Sequence, residues 1–152
     1  MKKAIIVSSI VSILAGCGSV PLSTMWRMKD FSIQDVAAID PKTAWTVGIL
    51  GTVRKTTDGG ETWEDVSLDL PKVQLYSIAS DGAGTITIAG NGLCVVSTDA
   101  GVSWQPAEFE PTIEYGWIYD LQALGAGRFA ACGDEGAIYR KPPEGNWKRI
   151  EY

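Results

Sequence analysis

At 152 residues, with a formal net charge of −5 and no histidine, the chain has the length of one domain and lacks the commonest general base and metal ligand. Its acidic balance repels phosphate backbones and argues against nucleic acid as a partner. Glycine is abundant at 17 and tryptophan at 6, which suits many short strands joined by tight turns, with aromatics filling the space between sheets.

The chain opens with the positive stretch Met1-Lys2-Lys3, followed by an apolar run from Ala4 to Leu14 broken only by serines. That run is shorter than the roughly 20 residues a membrane-spanning helix needs and has the length of a signal-peptide core. Leu14-Ala15-Gly16-Cys17 resembles the bacterial lipobox. The resemblance implies diacylglyceryl transfer to Cys17, cleavage before it and acylation of the new amino group, with palmitate a typical chain. Under the alternative, the segment is an ordinary secretory signal and Cys17 is incidental. Two or three acyl chains anchor a protein at about 0.8 kcal/mol per buried methylene. Glycine at position 18 implies, by likeness to enterobacterial sorting, the outer membrane on its periplasmic side. The expected organisation is a signal peptide over 1–16, an acylated tether over 17–24 and a folded domain over 25–152. Loss of the signal leaves 11 basic against 18 acidic side chains.

The folded part repeats. Trp63, Trp104 and Trp147 are spaced 41 and 43 apart, and Gly48, Gly90 and Gly133 are spaced 42 and 43 apart. A period in the low forties is the length of one four-stranded propeller blade. The units cover about 33–70, 75–109 and 117–152. In the first, strands are expected at Gln34–Ile39, Ala44–Gly48 and Thr52–Thr56, with an outer strand beginning at the tryptophan. Alternation such as Thr85-Ile86-Thr87-Ile88 has the period of two expected of strands. The fold class is therefore all-β, with about three four-stranded propeller-type blades forming a partial or oligomer-completed β-propeller.

Thr56, Asp58, Gly60, Thr62 and Trp63 match the pattern Ser/Thr-x-Asp-x-Gly-x-Ser/Thr-Trp, and Ser97, Asp99, Gly101, Ser103 and Trp104 match it again. The third copy is degenerate: Pro142 and Pro143 replace the acidic turn and only Asn146-Trp147 survives. The aspartate is expected to accept hydrogen bonds from turn amides and the glycine to allow left-handed backbone. The tryptophan is expected to pack between neighbouring sheets, at about 3–5 kcal/mol if truncated. One aspartate per turn falls short of the six to eight oxygens of a calcium site, so no metal and no cofactor is expected.

These turns resemble the Asp-box, or BNR, repeats of the sialidase-type superfamily, and in texture they are similar to photosystem II assembly-factor-like propeller proteins. The resemblance covers about 26–152 and implies a propeller fold, export, and a role in binding or assembly; that no catalytic constellation can be assembled from the residues makes an enzyme not expected. Three departures stand beside it. Such proteins carry six or seven blades against about three here. The arginine-rich surface associated with assembly-factor members is not evident. The arginine cluster of sialidases is also absent, since Arg27, Arg54, Arg128, Arg140 and Arg149 are scattered. Met25-Trp26-Arg27-Met28 reads as a left-over outer strand. Exposed blade faces seek partners, so a homodimer closing a six-blade ring and an open arc with another partner both stand as readings.

Cys94 and Cys132 are an even pair in an exported chain. Adjacent blades can bring them together, and strand alternation can equally point them apart. The stretch from Glu110 to Tyr119 is the least repeat-like. Tyr115 and Trp117, with Asn91 and Asp134 from the hairpins between second and third strands, form a candidate binding surface on one propeller face; under the bland reading the rings only cover blade edges. The function expected is a lipid-anchored, periplasm-facing scaffold that contacts or helps assemble another envelope protein. A carbohydrate-binding module and a phage-borne lipoprotein that occludes an envelope receptor are the alternatives.

Overall fold

The computed structural model describes residues 33–66, 68–111 and 116–152. Readings placed on the signal, Cys17, the tether, the Trp26 strand and Tyr115 lie outside these residues. Among the described residues no helix is long and apolar enough to cross a membrane.

Among the described residues there are thirteen strands: β1 Ile33–Ala38, β2 Ala44–Gly48, β3 Val53–Thr56, β4 Glu64–Asp65, β5 Leu75–Ser80, β6 Ile86–Gly90, β7 Leu93–Ser97, β8 Gln105–Pro106, β9 Phe109–Glu110, β10 Ile118–Gly125, β11 Arg128–Gly133, β12 Ile138–Lys141 and β13 Trp147–Arg149. They form three sheets, ordered β1-β2-β3-β4, β5-β6-β7-β8 and β10-β11-β12-β13-β9. The first two are antiparallel meanders entered at the inner strand, the third is such a meander extended by β9, and together they make three blades of a partial β-propeller. Strand ends differ slightly from the sequence reading: the first strand starts at Ile33, the third at Val53, and β4 and β8 start one residue after their tryptophans.

Hydrogen-bond register makes the blades comparable position by position. Asp35, Ser77 and Asp120 face Val47, Ala89 and Cys132 across the first two strands of their blades. Each inner strand carries one extra residue just before this position, at Gln34, Tyr76 and Tyr119. Such a bulge bends the strand and re-aims its side chains. Period-two alternation then gives every blade a leading face toward the blade before it and a trailing face toward the blade after it.

Two cores follow from this layering. Trp45, Val47 and Val53 on the trailing face of blade 1 pack with Leu75, Ile78, Ile88 and Val95 on the leading face of blade 2. Ala79 and Ala89 on the trailing face of blade 2 pack with Leu121, Phe129, Tyr139 and Trp147 on the leading face of blade 3. Small residues oppose large ones in the second core, which keeps the sheets in contact despite the four bulky side chains.

One feature of blade 3 escaped the sequence reading. The segment taken as the end of the second unit continues as β9 and adds a parallel fifth strand to β13. There Phe109 stacks on the Trp147 ring with centroids 5.6 Å apart, and Trp147 N donates to Glu108 O at 2.8 Å. Of the two readings left open for Cys94 and Cys132, the structure has them apart, and both are free. Cys94 packs into the core between blades 2 and 3, and burial pushes its thiol pKa up. Cys132 is exposed on the far face of blade 3.

Candidate functional site

Each blade has two ends. One holds the turn from third to fourth strand, and the other holds the hairpin from second to third strand together with the inner-strand bulge.

The turn end is closed on itself. Thr56 Oγ1 donates to Asp58 Oδ1 at 2.7 Å and accepts from Gly60 N at 3.0 Å. Asp58 in turn takes the Thr62 amide at 3.0 Å and the Thr62 hydroxyl. Ser97, Asp99, Gly101 and Ser103 repeat the arrangement: Ser97 Oγ to Asp99 Oδ1 at 2.8 Å, Gly101 N to Ser97 Oγ at 2.8 Å, and Ser103 N and Oγ to Asp99 at 2.8 and 2.6 Å. The Thr62 hydroxyl and amide, then Thr56, hold the Asp58 carboxyl well below the usual carboxylate range. The Ser103 hydroxyl and amide, then Ser97, bring Asp99 down to about 2. Gly101 at φ +88° also underlies the Trp45 ring of the previous blade, where a Cβ would come within 2.3 Å of it. Trp104 completes this contact edge-on to Trp45 at 5.8 Å and donates from Nε1 to Gly101 O at 3.2 Å. These groups are occupied with each other and with their own backbone.

The three tryptophans do not share one environment. Trp147 is buried and Trp104 packs on the first core, but Trp63 is 37% exposed. The expectation that each lies between sheets fails for Trp63, because its leading face has no preceding blade among the described residues.

The hairpin end is different. The first two hairpin tips are tied to the entry of the next blade, Gly51 N donating to Val73 O at 2.7 Å and Gly92 N to Gly116 O at 3.0 Å, and Asn91 N donates to Gln74 O at 2.9 Å at the entry of its own blade. The chain passes so close that a Cβ on Gly90 would meet Gln74 O at 2.1 Å and one on Gly133 would meet Trp117 O at 2.4 Å. Only glycine fits there.

This end gathers most of the surface expected from sequence. Asn91 and Trp117 form an isolated antiparallel bridge, and Asp134 N donates to Trp117 O at 3.0 Å. The backbone of Trp117 therefore joins the second and third hairpins and brings Asn91 and Asp134 to one place. Its ring stays 44% exposed and meets Tyr119 edge-on at 6.1 Å; Tyr119, equally exposed, meets Tyr76 edge-on at 5.7 Å. Tyr76 was missed in the sequence, although Gln34, Tyr76 and Tyr119 recur with the blade period and share the bulge position.

The residues after these bulges form a polar chain across all three inner strands. Ser77 Oγ donates to Asp35 Oδ2 at 2.7 Å and lies 3.2 Å from Asp120 Oδ1. Leu121 N donates to both Ser77 Oγ and Asp120 Oδ1. Asp35 is fixed further by the Ile78 and Val36 amides at 2.9 and 2.8 Å. The result is an aromatic row beside an exposed carboxylate, on backbone held by inter-blade bonds. It can grip an extended segment through ring contacts and accept its amide or basic donors. Among the described residues no three histidine, cysteine or acidic side chains converge as metal ligands.

Comparison with known proteins adds to this geometry. The profile of the family described as "Photosynthesis system II assembly factor YCF48" matches residues 19–150. The "Photosystem II assembly lipoprotein Ycf48" of Synechococcus sp. (strain CC9902) is 33% identical over 138 residues, covering 84% of this chain and 41% of the relative. Two solved structures are similar. "YCF48 bound to D1 peptide" matches at 31% identity and a TM-score of 0.67 over 78% of this chain and 39% of that one. "YCF48 from Cyanidioschyzon merolae" matches at 30% and 0.64 over 78% and 36%. The chain thus spans about two fifths of the length of the relatives it matches.

Proposed function

The chain belongs to the photosynthesis system II assembly factor YCF48 family, and from that premise we propose that it is a lipid-anchored, non-catalytic module that holds an exposed polypeptide segment of a photosystem II protein during assembly. The observation that carries this reading is the likeness to a structure of a YCF48 protein bound to a D1 peptide. The hairpin end supplies the contacts. Trp117, Tyr119 and Tyr76 offer ring surface to apolar side chains, and the Asp120 and Asp134 carboxylates accept donors from the segment. Rigid aromatic rings contribute contact at low entropy cost and dominate many interfaces.

The test is a titration of the full chain, in detergent, with a D1-derived peptide followed by fluorescence anisotropy. Saturable binding that weakens in Trp117→Ala and Tyr119→Ala, but not in Trp63→Ala, supports the reading. No binding, or equal affinity in all variants, overturns it.

The anchor is part of the proposal. Residues 1–16 are read as a cleaved signal, 17–24 as a tether, and Cys17 as the acylated amino terminus. Support comes from the charge, core length and box at residues 1–17 and from relatives described as lipoproteins. Mass spectrometry of the amino-terminal peptide from membranes is expected to give a diacylglyceryl-modified Cys17; an unmodified Cys17 sinks the anchor. Gly18 favours the outer membrane facing the periplasm, which fractionation of the two membranes decides.

A further inference from the structure

The two junctions between blades share one plan and differ in one side chain. Trp45 and Thr87 each stand three residues before the glycine that ends their second strand, so they are equivalent residues on the trailing faces of blades 1 and 2. At the first junction the Trp45 ring fills a slot. It lies on Gly101, where a Cβ would come within 2.3 Å of it. It meets the Trp104 ring edge-on at 5.8 Å, and the Lys55 ammonium stands 5.0 Å from its centroid. At the second junction Thr87 is too short to supply such a ring.

The walls of the slot remain there. Gly145 takes the place of Gly101 and keeps its left-handed backbone, at φ +93° against +88°. Trp147 takes the place of Trp104. Val96, paired with Thr87, takes the place of Lys55, paired with Trp45. All three line a cleft of about 220 Å³ between blades 2 and 3. Among the described residues nothing lies within 4 Å of where a Cβ on Gly145 would be. Phe109 does not refill the slot. It stands five residues after Trp104, as Leu68 does after Trp63, and Leu68 packs into the first core together with Trp45, so the two places are separate.

We propose that this cleft binds an aromatic side chain, tryptophan above all, presented by another polypeptide. The incoming ring takes the place at the second junction that Trp45 holds at the first. The cleft is smaller than the roughly 300–1,000 Å³ of sites for drug-sized ligands, which limits it to a single flat group. Lys141, Asn146 and Glu108 also line it. The Lys141 ammonium favours an electron-rich ring, in the way Lys55 does over Trp45. The two opposite charges and the amide match the neutral donors and acceptors that flank a side chain in a polypeptide. The cleft belongs to the turn end of blade 3, and the inference is independent of peptide binding at the hairpin end.

The test uses the full chain in detergent, titrated with N-acetyl-fluorotryptophanamide and followed by fluorine NMR. Saturable binding is expected, with a Kd of about 1 mM, and weaker binding of the corresponding phenylalanine derivative. Lys141→Met is expected to weaken the indole probe about threefold. Thr87→Trp returns a ring to the slot from within. A tryptophan at a fully buried threonine ordinarily overpacks a core. Here the variant is expected to fold with a melting midpoint at or above that of the wild type and to lose the probe. A wild type with no saturable binding overturns the proposal. So does a Thr87→Trp variant that fails to fold, or one that binds the probe as the wild type does. Tighter binding of free, zwitterionic tryptophan than of the capped amide assigns the cleft to a small aromatic compound and overturns the polypeptide partner.

Discussion

Asp99 and Asp120 belong to neighbouring blades and lie at opposite ends of them, and they use their oxygens differently. Asp99 takes the Ser97 and Ser103 hydroxyls and the Ser103 and Val102 amides within one turn. Asp120 takes one amide, that of Leu121, stands 3.2 Å from the Ser77 hydroxyl on the inner strand of the preceding blade, and remains exposed. The same residue type thus serves architecture at one end and stays available at the other. A repeated acidic motif in a propeller sequence is therefore a poor pointer to a ligand, and the better pointer is a polar or aromatic residue set at a bulge.

The contrast can be broken most sharply with glycine. Gly101→Ala at the turn end places a Cβ within 2.3 Å of the Trp45 ring at φ +88° and is expected to cost about 3 kcal/mol or more. Gly92→Ala at the hairpin end meets nothing within 4 Å at φ +63° and is expected to cost only about 1–2 kcal/mol for its left-handed backbone. Urea unfolding of the two variants measures the gap; equal losses would erase the distinction between the ends.

Tryptophan tests the same contrast along the array. Trp147→Ala empties a fully buried site and is expected to lose about 3–5 kcal/mol. Trp63→Ala acts at a partly exposed one and is expected to lose about 1 kcal/mol or less. Thermal melts of the pair read this directly.

Acid offers a third handle. A carboxyl whose folded pKa lies below its unfolded value of about 3.8 binds fewer protons folded than unfolded, so stability rises with pH across that interval. The contribution of Asp99 is present above about pH 4 and is lost as pH falls through about 2. Asp99→Asn is expected to flatten the pH dependence of unfolding between those limits, and an unchanged profile would remove the role assigned to the Asp99 turn.

The smallest effect on the fold is expected from Tyr119→Ala. It should leave the melting midpoint within about 2 °C while weakening peptide binding about tenfold, or about 1.4 kcal/mol.

The blades were legible because spacing and alternation survive in linear sequence. The glycines at 48, 90 and 133 mark second-strand ends, and the tryptophans at 63, 104 and 147 mark outer strands. What was not legible depends on neighbours. Nothing local separates Trp63 from Trp147; the difference is whether a sheet lies over the ring. Phe109-Glu110 is too short to read as a strand, and its partner β13 lies 37 residues on. Asn91 and Asp134 were legible as neighbours because hairpin positions follow from the repeat, and Trp117 because its stretch departs from it. Tyr76 and the chain from Asp35 to Asp120 were passed over because a bulge breaks the alternation that otherwise tells which way a side chain points. Comparing the three units at equal offsets would have shown both.

The parallel strand β9 has a consequence for how the domain comes apart. It leaves blade 2 at Pro106 and grips the outer edge of blade 3 three residues later, so the last strand of the chain cannot be peeled away without also pulling on the segment that leads into β10. Blades 2 and 3 should therefore exchange their amide hydrogens as one cooperative block. Blade 1, whose outer edge is the two charged residues Glu64 and Asp65, should open first and independently, leaving a two-blade remnant as the slowest-exchanging unit of the protein.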